Sequence, residues 1–146
     1  GSKKSGGSDP VTGEYDSDML SMIKMLGGMP DMMRKPMMKG RINQMLSLTE
    51  EQRQVYIRDM IRAFNSDKVK GKTRESLVVT RVEILGELSE EQRRTIISSR
   101  TEALKVVPEL DKADLQIQER ILHKVPQNTR QAFLKTWDHV RKGTGR

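Results

Sequence analysis

The segment Arg41-Ile42-Asn43-Gln44-Met45-Leu46-Ser47-Leu48-Thr49-Glu50-Glu51-Gln52-Arg53 returns 40 residues later as Arg81-Val82-Glu83-Ile84-Leu85-Gly86-Glu87-Leu88-Ser89-Glu90-Glu91-Gln92-Arg93. A third, more diverged copy begins at Ile121, placing Val125 under Leu48 and Leu88, Arg130 under Arg53 and Arg93, and Leu134 under Ile57 and Ile97. Spacings of 40 and then 37 residues suit two-helix units, each of which leaves an apolar face half-covered until a neighbour stacks on it. The repeat therefore predicts an all-α protein: a helical bundle or a short array of about three two-helix repeats, preceded by a flexible Met-rich segment.

Hydrophobic spacing within residues 41–146 agrees. Ile57, Met60, Ile61 and Phe64 fall at i, i+3, i+4 and i+7, one stripe on a helix starting near Thr49. Ile96, Ile97, Ala103, Leu104 and Val107 form a second face, on a helix starting near Ser89. Leu77, Val78, Val82 and Leu85 lie between them on a helix over 73–85, for which Gly86 is a natural stop. Pro108 ends the next helix, Asp111 caps another running to about Lys124, and Pro126 opens a last one whose Phe133 and Trp137 are core anchors. With a short helix near residues 41–46, this region holds six.

The repeated hexapeptide is a helix start. Thr49-x-x-Gln52 and Ser89-x-x-Gln92 read as capping boxes, in which the hydroxyl accepts the N3 backbone N–H and the Gln side chain reaches back. Glu50, Glu51, Glu90 and Glu91 then complement the positive end of the helix dipole. The same letters, Leu48-Thr49-Glu50-Glu51-Gln52 and Leu88-Ser89-Glu90-Glu91-Gln92, resemble the LTxxQ motif that occurs twice in periplasmic chaperones of the Spy and CpxP type. The resemblance covers residues 40–100. It departs in the Ser for Thr of the second motif, in the third unit and in the lack of a visible secretion signal. It implies an ATP-independent holdase that binds unfolded clients on a concave helical cradle.

Methionine is the other unusual feature. Nine of the ten Met lie between residues 19 and 45, and Met19, Met22, Met25, Met29, Met32 and Met33 recur at spacings of three and four until Gly27-Gly28 and Pro30 interrupt. Three readings are open. The residues dock on the repeat core as an adaptable lid, or they form a plastic surface for apolar helices or peptides, or their thioethers capture Cu(I). For the second reading Met25-Leu26-Gly27-Gly28-Met29-Pro30 resembles the Met-rich targeting domain of signal-recognition particles, and the partner-binding candidates are Met22, Met25, Met29, Met32, Met33 and Met37. The third lacks a reinforcing Cys or nearby His, so neither a metal nor another cofactor is expected.

Composition shifts near residue 40. The first 40 residues hold seven of eleven Gly and three of five Pro, and carry net charge +1 of the chain's +7. The division read from this is a linker or tag over 1–18, with a cloning scar at Gly1-Ser2, then a Met-rich segment with a short helix over 19–40, then a helical-repeat domain over 41–146. Zero Cys removes thiol chemistry but fits reducing and oxidising compartments alike. No apolar run approaches the roughly 20 residues of a membrane span.

The basic excess offers a nucleic-acid or anion surface at Lys68, Lys70, Lys72 and Arg74 around Gly71, continued by Arg93 and Arg94. Glu75, Glu83, Glu90 and Glu91 interrupt it, and five aromatics in 146 residues leave little on which to stack bases. No HExxH, Walker A, GxSxG or GxGxxG pattern occurs, so no catalytic residue is assigned. His123 reads as a dipole-complementing partner of Glu119, and His139 as a neighbour of Asp138. The function expected is a non-enzymatic interaction module that binds an apolar peptide, helix or protein through methionines. The holdase and nonspecific RNA or DNA binding are the alternatives.

Overall fold

The computed structural model describes residues 17–143. The linker reading of residues 1–16 lies outside them. Seven α-helices follow one another: α1 (Ser17–Gly27), α2 (Asp31–Leu46), α3 (Glu50–Phe64), α4 (Gly71–Glu87), α5 (Glu90–Leu104), α6 (Pro108–Ile121) and α7 (Gln127–Gly143), with a single 3₁₀ turn (Leu122–Lys124) before the last. No strand occurs among the described residues. The fold is all-α, as the repeat required.

Each helix packs on the one two places further along the chain, α1 on α3, α2 on α4, α3 on α5, α4 on α6 and α5 on α7. The odd-numbered and even-numbered helices thus form two layers, the geometry of stacked helical hairpins. One apolar core runs through all of it, from Leu20 and Ile23 of α1 to Phe133 and Val140 of α7. The predicted stripes are its centre: Ile57, Ile61, Val78, Val82, Leu85, Ile97 and Leu104 are almost completely buried, each contributing about 1.5–3 kcal/mol of burial.

Several boundaries differ from the sequence reading. Helix α2 crosses residue 40 and contains Pro36, and the Met-rich helices share the core with the rest. Pro36 sits on the exposed face of α2, and the carbonyl it leaves without a helical donor belongs to Met32, which is 88% exposed and open to water. Thr49 and Gln52 make a full capping box, with Thr49 Oγ1 accepting from Gln52 N at 3.2 Å and Gln52 Oε1 accepting from Thr49 N at 3.1 Å. At Ser89 only the first half forms. Asp111 is no cap: Pro108 opens α6, and Asp111 lies one turn in, buried and bidentate to Arg141 at 2.9 and 3.3 Å. Arg141 also covers the Trp137 ring at 4.6 Å, and Trp137 stacks on Phe133, so both aromatics are core anchors. The 3₁₀ turn takes His123 out of helical register with Glu119, and no ion pair joins them.

Gly86 does not stop α4, which continues to Glu87. A Cβ there would drive into the backbone carbonyl oxygen and methyl of Thr129, so glycine is what allows α4 and α7 to touch. Gly86→Ala is expected to push the first turn of α7 outward and lower stability by about 1–3 kcal/mol, measurable by urea denaturation. An unchanged midpoint would show that the contact is slack.

Five of the six connections share one device, all but that between α5 and α6, where Asp111 holds the fourth helical position. Arg34, Arg53, Arg74, Arg93 and Arg130 each occupy the fourth position of a helix. Each turns its guanidinium back onto carbonyls that end the preceding helix or follow it. Arg53 Nε donates to Met45 O at 2.9 Å and Nη2 to Leu48 O at 2.7 Å. Arg34 does the same to Leu26 O and Met29 O, and Arg93 reaches Leu85 O and Leu88 O. Arg74 reaches Phe64 O and Ser66 O, and Arg130 reaches Leu122 O. The last carbonyls of an α-helix have no internal donor, so at these five connections a guanidinium serves the helix end while tying it to the next helix start. Three of these arginines also reach a hydroxyl two helices on: Arg34 to Thr80, Arg53 to Ser99 and Arg93 to Thr136. Those hydroxyls all sit at the tenth helical position.

Candidate functional site

The exposed methionines lie on two consecutive helices, α1 and α2, which pack on each other. Met25 on α1 and Met32, Met33 and Met37 on α2 are 49, 88, 55 and 42% exposed, and they are four of the six large hydrophobic residues left exposed among the described residues. Local helix geometry puts them there. Leu20, Ile23 and Leu26 turn the other face of α1 inward, and Arg34, Ile42 and Met45 do so for α2, so the intervening methionines are left partly or largely in solvent. Met22 and Met29 are half-buried against the core. Lys24 and Lys39 are exposed on the same two helices, while Lys35 turns to Glu87 at 2.7 Å.

The basic residues are not brought together into one surface. Lys68, Lys70 and Lys72 are exposed around the start of α4. Arg74 and Arg93 face backbone carbonyls, Arg93 being buried, and Arg94 pairs with Glu90 at 2.7 Å. Thr49, Gln52, Ser89 and the glutamates of the LTxxQ-like motifs stand at the two helix starts, where the hydroxyls cap α3 and α5 and Glu50 receives Arg53 and Ser99.

Behind the corner lies a cavity of about 80 Å³, walled by Met22 and Leu26 of α1, Met38 and Met45 of α2, and Tyr56 and Met60 of α3. Arg41, Arg81 and Arg100 also line it. Beneath it sits an ion-paired trio that the sequence did not announce. Asp114, buried in α6, accepts from Arg100 Nη2 at 2.6 Å and from both Nη atoms of Arg81 at 3.2 and 3.3 Å. Burial pushes the Asp114 carboxyl upward, but Arg81 and Arg100 together outweigh it and hold the group below the usual carboxylate range. Burial, and next the like charge of Arg100, lowers Arg81 to about 10 despite the carboxylate. All three groups are charged at neutral pH, leaving a net positive charge under an apolar cavity.

Among the described residues no group of three or more His, Cys, Asp or Glu is arranged to hold a metal. No described helix is long and apolar enough to cross a membrane. Compared with protein-family models, curated proteins and solved structures, the chain matches none.

Proposed function

We propose that this protein is a non-enzymatic interaction module whose Met-rich corner docks an apolar helix or peptide of a partner protein. The observation that carries the reading is that four of the six exposed large hydrophobics, Met25, Met32, Met33 and Met37, lie on two consecutive helices, while the rest of the described surface exposes only Val55 and Val106. Thioether side chains are unbranched and polarisable, so such a surface repacks around partners of different shape. Arg34 ties α1 to α2 through Leu26 O and Met29 O.

The test is a titration with an amphipathic helical peptide whose apolar face carries Leu and Phe. Replacing Met32, Met33 and Met37 together by Ser is expected to weaken binding by about tenfold or more while leaving the thermal midpoint almost unchanged, because these side chains already face water. Equal binding by the parent and the triple variant would remove the reading. A variant whose clients are unfolded chains rather than helices, with aggregation suppressed at stoichiometric amounts, would favour the holdase alternative. Binding of oligonucleotides that collapses with salt would favour the nucleic-acid one.

A further inference from the structure

Counted from the first residue of each helix, the tenth position marks the side that faces the helix two places earlier. Thr80 of α4, Ser99 of α5 and Thr136 of α7 stand there, all buried, and accept from Arg34 of α2, Arg53 of α3 and Arg93 of α5. The seventh position lies one turn away on the same side, and its Leu77, Ile96 and Phe133 are buried too. In α2 these two positions are Met37, 42% exposed, and Gly40, also exposed, with Met33 a further turn away. Helix α2 thus leaves open the side that α4, α5 and α7 bury.

Gly40 is unusual in a second way. Glycine in the interior of a helix weakens it, and Gly27 and Gly86 each answer to a neighbour: a Cβ at Gly27 would meet the Thr73 side chain, and one at Gly86 the Thr129 carbonyl. A Cβ at Gly40 would meet nothing within 4 Å. Nothing among the described residues calls for glycine there. A helix laid on the open side of α2 would, since a missing side chain lets another backbone come close.

We propose that the side of α2 formed by Met33, Met37 and Gly40 seats a helix of a partner protein, in the place that α2, α3 and α5 hold on α4, α5 and α7, and that this helix is acidic at its flanks. The seat presupposes docking on the methionines and fixes where the helix lies and which charge it carries. The charge follows from the groups left over on α1 and α2. Asp31 pairs with Arg34, and Lys35 with Glu83 and Glu87. Lys24, Lys39 and Arg41 meet no carboxylate among the described residues. The unpaired charges of the two helices are therefore all positive, and an acidic helix complements them. A second copy laid on the same side would set these cations against each other. Its last helix, α7, exposes Lys135 and Lys142 against Asp138, and fits no better.

The probes are two synthetic helical peptides with the same Leu and Phe face, one flanked by Glu and the other by Lys, titrated into the full chain and into Gly40→Leu. Leucine at this position extends into open space in the free protein and is a better helix former than glycine, so the thermal midpoint is expected to hold or rise. Its side chain stands where the seated helix comes closest, and the affinity for the Glu-flanked peptide is expected to fall by about tenfold or more. The Lys-flanked peptide is expected to bind the parent about tenfold more weakly at low salt, with the gap narrowing as salt rises. Equal affinity of Gly40→Leu and the parent, or of the two peptides, would overturn the seat. Binding that survives in Gly40→Leu but is lost when Met32, Met33 and Met37 become Ser would strike this placement and leave docking on the methionines standing. No binding of either peptide to the parent would remove both. A parent that sediments as a dimer, with Gly40→Leu a monomer, would overturn the acidic partner in favour of a second copy.

Discussion

Asp114→Asn is expected to destabilise the protein by about 3–5 kcal/mol, visible as a fall of roughly 10–15 °C in thermal midpoint. The carboxylate is almost completely buried and binds two arginines, so the amide leaves two guanidinium charges close together with no counter-ion. The pH dependence follows from the direction of its shift. Asp114 is held below the carboxylate range in the fold, so its contribution is fully present above about pH 4, the unfolded value, and is lost as pH falls through the lower folded value. The parent protein should lose this stability in acid, and the Asn variant should lack that part of the acid slope. Replacing Arg81, Asp114 and Arg100 together by Met, Leu and Met should cost far less than Asp114→Asn, because no buried charge then remains unpaired. A single variant as stable as the parent would mean that the trio is hydrated rather than sealed.

Arg53→Met is expected to cost about 2–4 kcal/mol. The guanidinium closes the end of α2 through Met45 O, holds the turn through Leu48 O, and crosses to Ser99 on α5 at 3.1 Å. Its loss leaves Leu48 O without its donor and removes one bond each from Met45 O, which keeps the Leu48 N–H, and from Ser99, which still donates to Glu50. Arg53→Lys should recover only part, since one ammonium cannot reproduce a fork that serves several acceptors. Arg94→Met is the control. Arg94 stands on the next repeat's equivalent turn but is half-exposed and pairs only with Glu90, so its removal should change stability by less than about 1 kcal/mol. Chemical denaturation of the three variants side by side checks the contrast; equal losses at Arg53 and Arg94 would mean that helix-end closure contributes nothing beyond surface charge.

Arg53, Arg93 and Arg130 were legible as aligned positions, because the 40- and 37-residue spacings put them in one column. Their role was not. An arginine reaching back eight residues leaves no trace in hydrophobic periodicity. The column also continues to Arg34 and Arg74, so the structural period is a single helix of about 20 residues, half of the repeat visible by eye. A search for Arg at the fourth helical position with Ser or Thr at the tenth of a later helix would have found the tie. The apolar stripes were read correctly for a simple reason: Ile, Val and Leu at 3.6-residue spacing have one stable destination. Asp111 and Gly86 were misjudged for the opposite reason, since a cap and a buried ion pair use the same Asp, and a stop and a close contact the same Gly. The cavity lies deeper still, assembled from five helices and from Arg81, Asp114 and Arg100, which no sequence spacing brings together.

Methyl NMR of Met-labelled protein tests docking at the methionine corner most directly. On adding an amphipathic apolar helix, the Met25, Met32, Met33 and Met37 signals should shift and lose solvent relaxation together, with Met45 in the core unmoved. Signals that stay in place at peptide excess, or that move no more than Met45, would contradict the account.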